Sequence, residues 1–290
     1  MKLALGPVTI DRVVESECAL LDPFELLPDL TPALLEAGLS WMAPRFIDAQ
    51  SRRLVIAIQG FVVRSRGKLI LVDTCVGDCK PRVREAFSHR NWNWLDRLRA
   101  AGVSPEAVDF VVCTHLHVDH VGWNTRLEDG RWVPTFPNAR HLFTREEFDF
   151  WRSAAGRPGL ARTGDYIADS VLPVVEAGLA DFVPVNHVID DCVRLEPAPG
   201  HTPGLVTVHV ACGGERIVLA GDILHTPLQC RYPNLSTRYC ADPAMSCATR
   251  IGFMNARCDD HAIAIPSHFP SPSAGRFERE RGAFRFRYVE

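Results

Sequence analysis

The hydrophobic pattern switches repeatedly between strand-like and helix-like stretches. Residues 54–63 and 68–73 are apolar and β-branched around the turn Ser65-Arg66-Gly67, which predicts a hairpin. Trp94, Leu95, Leu98 and Ala101 recur at helical spacing and stop before Gly102, so residues 91–101 read as a surface helix. Ser104-Pro105-Glu106-Ala107 opens a further helical turn, and the apolar run 108–113 predicts a buried strand that delivers the chain to His115. Thr144-Arg-Glu-Glu147 has the form of a capping box opening a helix to about Ser153. A second helix is expected over 165–177. Strands follow at 193–196, 205–211 and 216–219, then a helix at 243–258, a strand at 262–265 and a last strand at 283–288.

The first fifty residues are the least regular, punctuated by Pro23, Pro28, Pro32 and Pro44. Within them Thr31 and Pro32 read as the N-cap and first position of a short helix. This segment is expected to lie over the body, near the substrate pocket. No repeat or low-complexity linker divides the chain, so residues 1–290 are read as a single domain with strands in two groups and helices between and outside, a mixed α/β sandwich.

Composition narrows the class. Hydrophobic residues at 47% and charged residues at 23% exclude disorder and fibrous repeats. Ten cysteines without a C-x-x-C pair, in a chain long enough to build a core unaided, read as free thiols, with Cys113 a small buried hydrophobe. No apolar run suits a signal peptide or a membrane span, so a cytoplasmic location is expected. The net charge of −3 provides no global basic field for nucleic acid, and a polyanion would need a local patch.

The chemistry concentrates after the buried strand. His115-Leu-His117-Val-Asp119-His120 packs four metal-ligand side chains into six residues, a pattern that arises by chance in about one in a thousand chains of this composition. Imidazole and carboxylate suit a borderline divalent ion such as zinc. One short loop cannot wrap four ligands around one ion. His115 and His117 can face one side and Asp119 and His120 another, which points to two adjacent ions needing further ligands. Three other polar residues sit at apolar strand ends: His201 in Pro199-Gly-His-Thr-Pro-Gly204, Asp222 in Leu219-Ala-Gly-Asp222, and His268 in Ile265-Pro-Ser-His268. Each alone fits a structural turn; their recurrence in one context is what counts.

Taken together, Thr114-His-Leu-His-Val-Asp-His-Val-Gly122, Gly200-His-Thr-Pro-Gly204, Ala220-Gly-Asp222 and Ser267-His268 resemble the metallo-β-lactamase superfamily of metallohydrolases. The resemblance runs from Leu71-Val-Asp73-Thr74 to His268 and implies an αββα four-layer sandwich with a dinuclear site at one edge. It places His115, His117 and His201 on the first metal, Asp119, His120 and His268 on the second, and Asp222 between them. Asp73 would orient a ligand histidine. With His120 and Asp222 both present, an antibiotic-resistance β-lactamase is disfavoured, and His117 in place of Glu disfavours a flavodiiron-type enzyme. Trp123-Asn124 and Leu205 depart from glyoxalase II. Ala220-Gly-Asp-Ile-Leu-His225 and the Gly/Arg/Phe-rich C-terminus look most like the lactonase and methyl parathion hydrolase branch.

The resulting expectation is a hydrolase with two divalent metal ions, zinc being the natural choice, acting on a small ester-like substrate such as a lactone, an aryl ester or a phosphotriester. A metal-bridging hydroxide would attack, Asp119 and Asp222 would take its proton, and His225 could donate to the developing oxyanion. A packing role fits His225 equally well. His89, His141, His187, His209 and His261 read as structural. Of Trp41, Phe46, Phe61, Trp123, Phe148, Trp151 and Phe269, some are expected to line an apolar pocket and the rest to fill the core. The partner is a small molecule, with no nucleic acid or membrane, and a homodimer is compatible. The alternatives are a phosphodiesterase or nuclease, or a glyoxalase II-like thioesterase, of the same superfamily.

Overall fold

The computed structural model describes residues 2–289. In chain order its elements are β1 (Lys2–Leu5), β2 (Val8–Leu21), α1 (Pro23–Leu26), α2 (Pro32–Met42), β3 (Leu54–Ser65), β4 (Lys68–Val72), α3 (Trp94–Ala100), β5 (Phe110–Val112), β6 (Thr125–Glu128), β7 (Arg131–Pro134), β8 (Arg140–Thr144) and α4 (Arg145–Arg152). Then come α5 (Arg157–Thr163), α6 (Tyr166–Ser170), α7 (Leu172–Glu176), β9 (Ala180–Val183), β10 (Val193–Pro197), β11 (Val206–Cys212), β12 (Glu215–Leu219), α8 (Leu228–Arg231), α9 (Pro243–Asp260), β13 (Ile263–Ile265), β14 (Gly275–Glu280) and β15 (Ala283–Tyr288).

Seven strands form one sheet in the order β1-β2-β3-β4-β5-β8-β9, and six form the other in the order β10-β11-β12-β13-β14-β15. Strand alternation explains how they stack. In β3 and β4, Phe61, Val63, Ile70 and Val72 point into the layer shared with Val193, Val206, Val208 and Leu219 of the second sheet. Their neighbours Val62 and Leu71 point the other way, onto Trp94 and Leu98 of α3 and the helical layer of Phe148, Tyr166 and Val174. Both faces being buried, these strands read as continuous apolar runs. On the far face of the second sheet, Ala264, Phe277 and Phe284 pack against Met254 and Cys258 of α9. The result is the four-layer αββα sandwich. No helix of the described residues is long and apolar enough to cross a membrane, and the ten cysteines are free.

Three expectations need correction. The N-terminal segment is not irregular: β2 is a 14-residue strand, paired along β3 with register breaks at Val14/Ser16 and Ala19/Leu21. Those bulges interrupt the period of two by which a strand is recognised. Beyond it, α1, α2 and residues to Ile56 form a satellite core around Leu26, Leu35, Met42 and Leu228. The helix expected over 165–177 is split into α6 and α7 at Val171, which has φ −120°. Pro173 cannot bond back to Asp169, whose carbonyl instead accepts from Thr125 Oγ1 at 2.5 Å and Lys80 Nζ at 3.2 Å. Finally, α4 begins where the capping box predicts, but Thr144 and Glu147 bond elsewhere, as described below.

Candidate metal centre

Every candidate ligand leaves the end of an apolar strand or the loop beside one. Asp73 follows β4, residues 115–120 follow β5, His201 lies between β10 and β11, Asp222 follows β12 and His268 follows β13. Parallel pairing of β4 with β5 and of β12 with β13 brings those ends to one edge of the sandwich.

The seven side chains expected to hold metal converge there in two groups. His115, His117, His201 and Asp222 offer ligand atoms within 4.8 Å of one another, as do Asp119, His120 and His268. In the first group His117 Nδ1 lies 2.9 Å from both His115 Nε2 and His201 Nε2. Asp222 reaches both groups, with Oδ2 at 3.3 Å from His201 Nε2 and 3.1 Å from His268 Nε2, and Oδ1 at 3.2 Å from His120 Nε2. His225, which the sequence leaves open between packing and site, is buried, with Nε2 3.1 Å from Asp222 Oδ2.

Outward-facing nitrogens are anchored, which aims the inner ones. His120 Nδ1 pairs with Asp73 Oδ2 at 2.8 Å, and His268 Nδ1 donates to the Ala57 carbonyl at 2.9 Å. His115 Nδ1 lies 3.2 Å from Thr114 Oγ1, itself held by Asp73, and His201 Nδ1 lies 3.5 Å from Cys240 Sγ. Asp73 takes a left-handed φ of +59° to turn its carboxylate back onto Thr114 and His120. Gly200, with φ +124°, brings the His201 loop so close to α9 that a Cβ would lie 2.2 Å from Ser246 N.

The donor set fits divalent cations. His120 Nε2 and Asp222 Oδ1 are buried without a hydrogen-bond partner. Within each 2.9 Å pair of histidine nitrogens at most one can donate, so at least one lone pair faces into the group. Burial pushes His115 and His117 well below the ordinary imidazole value, helped by the neighbouring histidines. Burial would depress His120 as well, but Asp222, Asp73 and Asp119 carry it well above. For Asp222, burial is outweighed by His268, His120 and His225, which hold the carboxyl far down. The carboxylates therefore call for positive charge at the centre of the cluster, to which His115 and His117 bring neutral nitrogens.

Three buried carboxyl and amide groups, to which the sequence assigns no role at the site, hold the loops in place. Glu147 accepts from Leu116 N at 3.0 Å, Gly204 N at 3.0 Å and Trp151 Nε1 at 2.6 Å, while Thr144 Oγ1 donates to the Gly204 carbonyl at 2.8 Å. The residues that look like a helix cap thus tie the His115-x-His117 loop to the His201 loop. Burial raises the Glu147 carboxyl against the pull of those donors. Glu15, on β2, accepts from Val76 N, Gly77 N and Trp123 Nε1 behind the site, and burial pushes it up to about 8. Gln59 Nε2 donates to the Ser267 carbonyl at 2.7 Å, beside His268. An acid within an alternating strand, or three residues after a Thr, carries no sequence mark of such a role.

Comparison with known proteins places this geometry. The sequence profile of the metallo-beta-lactamase superfamily matches residues 57–250. The chain belongs to that superfamily. Among curated relatives, the N-acyl homoserine lactonase AttM of Azorhizobium caulinodans is 28% identical over 120 residues, 37% of this chain and 38% of that protein. AttM of Agrobacterium fabrum is 38% identical over 56 residues, 19% and 18% of the two chains. The matched stretches thus span well under half of these relatives. AidC, a dizinc quorum-quenching lactonase solved with a product, shares the fold at TM-score 0.83 and 23% identity, covering 100% of this chain and 97% of that one. The hydrolase AbOPH matches at TM-score 0.82 and 23% identity over the same shares. The fold is that of a metallo-beta-lactamase, and the lactonase branch is the one these names belong to.

A cavity of about 550 Å³ opens over the cluster, with His117, Asp119, His201, Asp222, His225 and His268 on its floor. Leu20, Leu21, Leu26, Ile56, Phe87 and Trp151 contribute an apolar wall. Of the aromatics singled out from sequence only Trp151 lines it. Phe61, Trp123, Phe148 and Phe269 are core, and Trp41 and Phe46 border a separate groove beside β15. His89, His141, His187, His209 and His261 take no part in the grouped ligand sets of the described residues.

Proposed function

We propose that the protein is a dinuclear metal-dependent lactonase whose substrates are small, partly apolar lactones, N-acyl homoserine lactones foremost. The observation that carries this reading is the convergence of all seven expected ligand side chains, divided into two groups joined by Asp222, at the floor of a cavity whose wall is apolar from Leu20 to Trp151 and polar where Glu25, Arg84, Arg162 and Arg238 line it. The names of the lactonase relatives support the substrate class.

His115, His117 and His201 would hold one ion, Asp119, His120 and His268 the other, and Asp222 would touch both. Divalent ions there, with zinc the expected one, supply Lewis-acid polarisation of the ester carbonyl and activation of water. The chain's own part is positional and protic. Asp119, only partly buried at the cavity floor, accepts the proton released as water adds to the carbonyl carbon, while Asp222, whose carboxyl is held far down, orients that water. Burial holds His225 down at about 4, so at neutral pH its imidazole is uncharged, and its Nε2–H, 3.1 Å from Asp222 Oδ2, can be shared with the oxygen on which charge develops. The ring C–O bond then breaks, the leaving alkoxide takes up the proton held by Asp119, and a hydroxy acid departs. The Leu20 to Trp151 wall takes the acyl chain and keeps bulk water from it.

A pH-stat assay tests this, because each ring opened releases one acid equivalent. The reading expects kcat/KM for an N-acyl homoserine lactone to exceed that for bis(4-nitrophenyl) phosphate and for a glutathione thioester. A phosphodiester or thioester turned over faster than every lactone would replace it with the nuclease or glyoxalase-like alternative.

A further inference from the structure

Three of the four anchored histidines in the cluster rest their outer nitrogen on oxygen: Thr114 Oγ1, Asp73 Oδ2 and the Ala57 carbonyl. His201 rests on sulfur. Cys240 belongs to the segment between α8 and α9, which is stitched to the His201 loop by main-chain bonds from Ala241 N to the His201 carbonyl at 2.8 Å and from Asp242 N to the Gly200 carbonyl at 2.9 Å. That pairing sets Cys240 Sγ 3.5 Å from His201 Nδ1 and 3.4 Å from each of Thr237 Oγ1 and Ser246 Oγ. Ser246 in turn accepts from Arg250 Nη2 at 3.0 Å, and the same buried guanidinium donates through Nε to the Ile223 carbonyl at 2.9 Å, next to Asp222. A continuous chain therefore runs from Ile223 through Arg250, Ser246 and Cys240 to His201. Cys240 also lines the cavity and is partly exposed.

We infer that Cys240 is a positioning residue for His201, whose support of Nδ1 strengthens the hold of the first group on its metal. With Sγ–H donating to Ser246 Oγ, the sulfur accepts Nδ1–H of His201. The proton is thereby fixed on the outer nitrogen and Nε2 is left as a lone pair facing His117 and Asp222. Iodoacetamide would form an S–C bond at Cys240, with iodide leaving and the thiol proton passing to buffer. An adduct on Sγ would crowd the 3.5 Å contact with His201 Nδ1. The inference rests on the proposal that His201 holds a metal.

The test uses the full-length zinc-loaded protein and reads zinc, not turnover. In competition with a chromophoric chelator, Cys240→Ala should weaken one zinc equivalent by about 10- to 100-fold, the usual effect of removing a partner of a ligand histidine. Cys240→Ser, which still accepts from Nδ1, should recover most of that loss. In wild type, iodoacetamide should release one zinc equivalent per chain in step with carbamidomethylation of Cys240 measured by peptide mass spectrometry, and Cys240→Ser should resist release although its other thiols react. Zinc affinity of Cys240→Ala equal to wild type, no rescue by serine, or full Cys240 modification without zinc release would each overturn the inference alone. Wild type that binds no zinc would overturn the metal reading with it.

Discussion

Glu147→Ala is the substitution through which the architecture of the site can be tested away from its ligands. The carboxylate is buried and satisfies three donors, Leu116 N, Gly204 N and Trp151 Nε1. Truncation strands all three, and each buried unsatisfied donor costs about 1–3 kcal/mol. Trp151 borders the cavity, so water can reach its indole and the total falls toward the low end, about 3–5 kcal/mol. For a chain of this size that corresponds to a melting temperature lower by roughly 6–15 °C. The loss is also local: Leu116 stands between His115 and His117, and Gly204 closes the His201 turn, so zinc affinity of the first group should fall with stability. Glu147→Gln keeps an acceptor for Leu116 and Trp151 but turns its amide N–H₂ toward Gly204 N, and should lose about half as much. Thermal unfolding and chelator competition on the three proteins read both effects. If Glu147→Ala melts within about 2 °C of wild type and keeps its zinc, the carboxylate is not the brace described here.

Other predictions act on single atoms. Asp222→Ala should remove the one side chain common to both groups and lower kcat by several orders of magnitude while circular dichroism stays native; near-normal turnover with full metal would contradict the bridging role. His225→Phe removes an Nε2–H donor at nearly constant shape, and should lower kcat by roughly 10- to 100-fold with KM little changed; a change confined to KM would assign it to binding instead. The Glu15 carboxyl is raised in the folded state from 4.5 to about 8, so the folded chain binds the extra proton and stability is lost as pH rises across that window. Glu15→Gln should accordingly gain in melting temperature relative to wild type between pH 5 and pH 8, and a difference that shrinks with pH would show the sign to be wrong.

What the chain discloses before folding follows from where the physics is local. The convergence of the candidate ligands is legible because each follows an apolar strand and because four of them share six positions, a density that packing alone does not produce. Strands β3 and β4 were readable because both faces are buried and no alternation is needed to see them. β2 was hidden by its own bulges, and Glu15 within it looks like a solvent-facing acid until Val76, Gly77 and Trp123 fold over it. Thr144 and Glu147 were misread for an instructive reason: the groups that cap a helix are the same ones that can brace two loops, and only the approach of Leu116 and Gly204 decides between them. Aromatic residues near motifs in sequence, such as Phe148 and Phe269, went to the core, since proximity along the chain says nothing about which face of a helix or sheet edge meets the cavity.

The central claim is that seven side chains form two ion sites joined by one carboxylate. Metal analysis of zinc-saturated protein, freed of excess ion by gel filtration, addresses it directly. The account predicts about two zinc ions per chain, with occupancy falling below about pH 6 as ligand histidines take up protons. A saturated preparation that holds one zinc per chain would contradict it.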